Sequence, residues 1–165
     1  MYQSVNPIID KYVWIACILG IIVQVNSVRT ISKTYITQNP SLQDGYNKIF
    51  KSILFYGNIP WVIMGMGNLL GLTNGVLDYL HPKEMNPIVL IFHSSIIILG
   101  IFHVKWIYFN KGAEFLEQHP GFITKKIGFK GSSMTSKEIK FFLLFGLFFQ
   151  ISLLLMVWFV FPSRG

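Results

Sequence analysis

The sequence predicts an all-α integral membrane protein with four transmembrane helices in an antiparallel bundle, and three observations predict it. The 165 residues are 52% hydrophobic and only 13% charged, against about 25% charged in soluble domains. Apolar residues gather in four blocks, and a block of about 20 such residues crosses a ~30 Å hydrocarbon core as a helix. The basic residues crowd into alternate connections between the blocks. The chain reads as a single membrane domain over 1–165, with spans at 12–28, 52–72, 87–109 and 140–161.

The first span is the shortest. It follows MYQSVNPIIDK, which has no basic start before the apolar run and no small-x-small cleavage site, so it reads as a retained anchor rather than a removed signal peptide. The only cysteine, Cys17, lies within it, so the sequence holds no partner for an intrachain disulfide.

The second span contains YGNIPWVIMGMGNLLG, with two asparagines, a proline and four glycines. At 100° per residue, Gly57, Pro60, Gly67, Asn68 and Gly71 fall within about one 100° arc, and Asn58 flanks it. Gly67 and Gly71 make a G-x-x-x-G, which lets a neighbouring helix approach closely. Pro60 leaves the Tyr56 carbonyl without its helical donor and bends the segment. The second span therefore reads as the kinked, close-packing helix, its packing face formed by Gly57, Pro60, Gly67 and Gly71.

An outer loop, LTNGVLDYLHPKEMNP, makes the second and third spans antiparallel neighbours. Beyond the third span a cytoplasmic loop covers about 110–139. Its GAEFLEQHPG segment continues the helix briefly until Pro120 and Gly121 stop it. In GFITKKIGFKGSS, Phe122, Ile123, Ile127 and Phe129 interleave with lysines, as in a segment that lies on the inner headgroups. Thr135 and Glu138 form a capping box that starts the fourth helix, whose FFLLFGLFFQISLLLMVWFVF is the clearest span of all.

Eleven of the fourteen Lys and Arg residues sit in or beside the first-to-second and third-to-fourth connections; only Lys11, Lys83 and Arg164 lie on the other side. The positive-inside rule then places both termini outside the cytoplasm. Trp14, Trp106 and Trp158 fall near span ends, as interfacial tryptophans do, whereas Trp61 lies deep and reads as packing. The net charge of +7 reflects this topology and contact with anionic inner-leaflet headgroups. It does not indicate nucleic acid, because the basic residues are divided between two loops without a recognition motif.

The polar residues inside the spans are the candidate site: Gln24, Asn58, Asn68, His93 and Gln150. Counted at ~1.5 Å per residue, they suggest two hydrogen-bonded layers, Gln24 with Asn58 and Asn68 with His93, and Gln150 lies near the middle. The spans carry no carboxylate, which weighs against a proton-coupled carrier. His93 and His103 are ~15 Å apart along one helix and cannot share a haem. No catalytic, cofactor or metal-ligand spacing is visible. This favours a non-enzymatic protein that acts through helix–helix contacts, with another membrane protein or with itself, as an accessory subunit or homo-oligomer. The alternative is a small oligomeric channel or carrier whose pathway uses Asn58, Asn68, His93 and Gln150. An intramembrane enzyme or redox protein built on His93 is the third class.

GNIPWVIMGMG at 57–67, NPIVL at 86–90 and GAEFLEQHPG at 112–121 together resemble segments of small bacterial integral membrane proteins of unassigned function. The resemblance covers the middle of the chain. It implies a bacterial inner-membrane setting and no activity, cofactor or catalytic residue.

The charge bias yields a direct test. In a Cys17→Ser background, single cysteines at Ser4 and Ser132 should label oppositely with an impermeant reagent in intact cells, Ser4 from outside and Ser132 only after lysis. Labelling of Ser132 alone from outside would invert the orientation.

Overall fold

The computed structural model describes residues 7–121, 124–127 and 130–161. Four helical stretches in it are long and apolar enough to cross a membrane: Ile9–Gln38, Pro40–Leu69, Pro87–Phe109 and Ser136–Phe159.

Helix α1, Pro7–Gln38, has 32 residues and is therefore ~48 Å long, well beyond the expected 12–28. Polar residues continue it past the apolar run because their hydroxyls are satisfied locally. Ser27, Thr30 and Thr37 donate to the carbonyls of Val23, Asn26 and Lys33 at 2.9–3.1 Å, the i−4 pattern available to Ser and Thr in helices. Asn39 then caps a 3-10 turn at Pro40–Leu42 by accepting from the Ser41 amide.

The second span is broken in two, α2 (Gln43–Tyr56) and α3 (Ile59–Leu69). Pro60 in the first turn of α3 has no N–H for the Tyr56 carbonyl, so the expected bend takes the form of an interruption at Gly57–Asn58. Asn58 bridges it by donating Nδ2 to the Leu54 carbonyl at 2.6 Å. At the other end, the Leu72 amide bonds the Gly67 carbonyl at 2.9 Å and Gly71 has φ +70°. This is the left-handed glycine that closes a Schellman motif. Gly71 therefore lies past the helix, with open space where its side chain would be, and does not extend the packing face. The close approaches belong to Gly65 and Gly67. A Cβ on Gly65 would lie 2.8 Å from the Trp14 ring, and one on Gly67 would lie 2.3 Å from the Tyr79 hydroxyl. Pro60 is buried, and a Cβ on Gly57 would meet Ile21 at 3.5 Å.

Helix α4, Pro87–Phe109, starts on Asn86, whose side chain accepts from the Ile88 amide at 3.1 Å. Lys111 then adopts a left-handed conformation (φ 55°). The chain turns there, so α5, Gly112–Glu117, is a separate helix packed back on α4 instead of a prolongation of it. An antiparallel hairpin follows, β1 (Thr124–Ile127) with β2 (Lys130–Ser133), which adds a strand pair to an otherwise helical fold. Phe122, Ile123 and Phe129 of the expected headgroup-contacting stretch lie outside the described residues. Helix α6, Ser136–Phe159, begins with the Thr135–Glu138 capping box.

Along α1, Trp14 meets Gly65 and Ile21 meets Gly57; between α3 and α4, Trp61 packs on Phe92; between α4 and α6, Tyr108 donates to the Lys140 carbonyl at 2.7 Å while His93 faces Trp158. The apolar core is divided in two. One cluster joins Val25, Tyr46, Phe50, Ile107, Leu116 and Ile139; the other joins Met64, Tyr79, Val89 and Phe92. At the first cluster Arg29 lies over the Phe50 ring, 5.3 Å from its centre, and Tyr46 donates to the Pro120 carbonyl. There too the Lys140 ammonium bonds Glu114 at 2.7 Å and holds that carboxyl below the ordinary glutamate range.

Because Gly65 and Gly67 are occupied from the opposite side, Gly65→Ala and Gly67→Ala should each lower thermal stability in detergent, by the ~1–3 kcal/mol typical of overpacking. Leu69→Ala should change it little, since Leu69 is 63% exposed. Equal melting of all three variants would contradict this packing.

Candidate functional site

Three of the buried polar side chains, Asn68, Thr73 and His93, gather around Tyr79 at the end of the molecule that carries the N-terminus of α1, while buried Ser32 and His119 lie at the other end. Asn68, in the last turn of α3 and 1% exposed, donates Nδ2 to the Lys11 carbonyl of α1 at 2.9 Å. Its Oδ1 accepts from the Thr73 hydroxyl at 2.6 Å. Thr73 stands at this spot because the Gly71 turn has just reversed the chain. Its oxygen is 3.3 Å from the Tyr79 hydroxyl, which donates to the Met64 carbonyl at 3.2 Å. Burial pushes the Tyr79 phenol up, Asp78 adds to this, and the Thr73 hydrogen bond opposes it.

The main chain of the same tyrosine reaches α4. The Tyr79 carbonyl is 2.9 Å from His93 Nε2. A carbonyl only accepts, so Nε2 carries the proton. Nδ1 is buried without a partner, and the ring stands edge-on to Phe92 and Trp158, 5.6 and 6.0 Å between centres. Nearby, Asp10 of α1 accepts from the Leu77 amide at 3.3 Å and sits so close over Gly75 that a Cβ there would be 2.2 Å from its Oδ2. The turn Val76–Leu80 is thus held by α1, α3 and α4 together.

Asn68 and His93, expected as one layer, do belong to one network, but through Thr73 and Tyr79 rather than to each other. Gln24 is exposed on α1, while Asn58 bonds within its own segment and leaves Oδ1 buried without a partner, so the second expected layer does not form. Gln150 lies elsewhere again, on α6 beside Gly100. Thr73, Tyr79 and Asp10 complete the network and were not among the expected residues. The one signal for them was the density of turn formers in 72–87, which marks a loop but not which of its side chains fold inward. Among the described residues no three His, Cys, Asp or Glu side chains gather as a metal site requires. No protein-family pattern, curated protein or solved structure matches the chain.

What this arrangement does is fasten. Asn68, Tyr79 and His93 point donors at main-chain carbonyls of neighbouring segments, Thr73 donates to Asn68, and His93 Nδ1 is buried without a partner beside the Phe92 and Trp158 rings. His93→Leu strands the buried Tyr79 carbonyl and should cost ~1–3 kcal/mol, whereas His93→Gln, which keeps a donor, should retain most of the stability. Asn68→Leu should cost at least as much as His93→Leu, because it removes a donor and an acceptor at once. Denaturation midpoints of the three variants in one detergent check this order, and a fully stable Asn68→Leu would contradict it.

Proposed function

We propose that the protein is a non-enzymatic integral membrane protein of four antiparallel spans that acts through helix–helix contacts, as an accessory subunit of another membrane protein or as a homo-oligomer. The observation that carries this reading is where the polar side chains go. Asn68, Thr73 and Tyr79 bond to one another and to main-chain carbonyls, and His93 bonds to a carbonyl, so they close the molecule instead of lining a route through it. In hydrocarbon such closure is required, because an unsatisfied polar group there costs several kcal/mol. The surface of α6 supports the same reading. Phe141, Phe145, Phe148 and Phe159 are each two-thirds exposed or more, which offers lipid or a partner helix a continuous apolar face. The setting we favour is a bacterial inner membrane with both termini outside the cytoplasm. Its support is the charge bias, together with the gathering of Arg29, Glu114 and Lys140 at the end opposite Asp10 and Lys83.

A second reading, a small oligomeric channel or carrier, draws on two observations. Asn58 Oδ1 and His93 Nδ1 are buried acceptors without donors, and Gln150 lines a cleft between α4 and α6. The two readings separate on reconstitution. We expect the protein in liposomes to show no ion or proton flux and, extracted in mild detergent, to run as a homo-oligomer or with a stoichiometric membrane partner. A monomer that copurifies with nothing and supports a flux abolished by Gln150→Leu would establish the second reading instead.

A further inference from the structure

Helix α6 is fastened to the rest of the protein at its two ends. At one end Tyr108 bonds the Lys140 carbonyl, Lys140 pairs with Glu114, and the Ser136 amide bonds Glu117. At the other, Lys83 donates to the Phe159 carbonyl, and Trp158 and Phe161 stand against His93 and His81. Between these ends a cleft of about 670 Å³ runs along the α4–α6 seam, lined by Ile97, Gly100, Val104, Leu147 and Gln150, with Lys105 one turn short of its Phe109 end. Gly100 keeps the wall low in the middle, and the Gln150 amide is the polar group opposite it, 3.6 Å from where a Cβ would be. The α4 wall, 97–109, is ~18 Å long at 1.5 Å per residue, close to the ~15 Å of one leaflet of a ~30 Å core.

We infer that this cleft binds one glycerophospholipid with an anionic headgroup, an acyl chain lying between α4 and α6 and the phosphate meeting Lys105. Length, apolar lining and charge agree on this occupant. The cleft is about one leaflet deep, its walls are almost wholly hydrocarbon, and its cation, Lys105, lies within one turn of the end that faces the headgroups, within reach of a lysine stem. Lys105 is exposed and has no ion pair among the described residues, so its ammonium is available, and a long lysine stem reaches the interface while its methylenes stay along the apolar wall. The inference rests on the membrane reading given above.

The test is native mass spectrometry of the protein released from nanodiscs of equal phosphatidylglycerol and phosphatidylcholine. The wild type should retain one phosphatidylglycerol in preference to phosphatidylcholine. Lys105→Gln should reduce that retention about five-fold, the share expected of one basic residue at an anionic surface, and Gly100→Leu should abolish it by filling the cleft. Leu147→Trp fills the cleft from α6 and guards against misfolding of the Gly100 variant. Lys33→Gln, an equal change of charge on the exposed face of α1, should leave retention unchanged. Equal retention of both lipids, or equal loss in Lys33→Gln and Lys105→Gln, would overturn the site, as would a second copy of the chain bound in place of lipid. Failure of the protein to enter nanodiscs at all would instead overturn the membrane reading.

Discussion

A phenol hydroxyl placed where a side chain would otherwise stand organises one whole end of this protein. The Tyr79 hydroxyl lies 2.3 Å from the position of a Cβ on Gly67, so α3 must have glycine there for the ring to enter. Once inside, the hydroxyl meets the Met64 carbonyl and Thr73, the ring packs on Phe92 at 4.9 Å, and the tyrosine's own carbonyl accepts from His93 Nε2. Buried polar groups that lack partners cost ~1–3 kcal/mol each, and this one residue satisfies or borders several. Its loop, which has only short 3-10 turns of its own, is thereby bonded to α1, α3 and α4.

The other end is held differently. There the core is larger, and its polar contacts are scattered: Tyr46 donates to the Pro120 carbonyl, His119 Nδ1 lies 2.7 Å from the Phe115 carbonyl, a guanidinium sits over Phe50, and Lys140 and Glu114 form a half-buried pair. A half-buried pair at the surface contributes modestly, so apolar packing of α1, α2, α5 and the start of α6, with the Tyr46 bond inside it, carries that end. Between these two ends the helices meet through fewer buried residues. Both irregularities of the fold fall there, the break at Gly57–Asn58 and the cleft between α4 and α6. In the proposed bilayer setting both lie at the depth where lipid chains reach, and a hydrocarbon chain fills the kind of gap that side chains have left open.

How much of this was legible in the sequence depended on whether a residue's role is local. Thr135 and Glu138 interact across one helical turn, and the capping box is visible in four letters. Pro60 acts on the carbonyl four residues before it, so the irregularity of the second span was readable, though not that the helix would stop and restart. Gly67 and Gly71 show the limit. Their spacing matches a packing motif, but the identical pattern arises when the second glycine closes the helix, and only the left-handed φ of Gly71 separates the two. Gly65 was passed over because nothing nearby in sequence reveals that Trp14, some fifty positions earlier, lies against it. The extent of α1 was underestimated because hydropathy marks where a helix is apolar, not where its backbone stops. The site followed the same rule. Asn68 and His93 were evident as polar residues in apolar runs, whereas Tyr79 and Thr73, ordinary in a loop, became central only through contacts with distant segments.

The central claim is that the polar groups buried inside the molecule close it rather than open a path through it, and the His93 ring reports on this most directly. Nitrogen-15 NMR of histidine-labelled protein in nanodiscs reads which ring nitrogen holds a proton and how fast that proton exchanges with water. The account predicts a ring protonated at Nε2, with a slowly exchanging proton bonded to the Tyr79 carbonyl. A ring protonated at Nδ1, or one whose proton exchanges rapidly with bulk water, would contradict it.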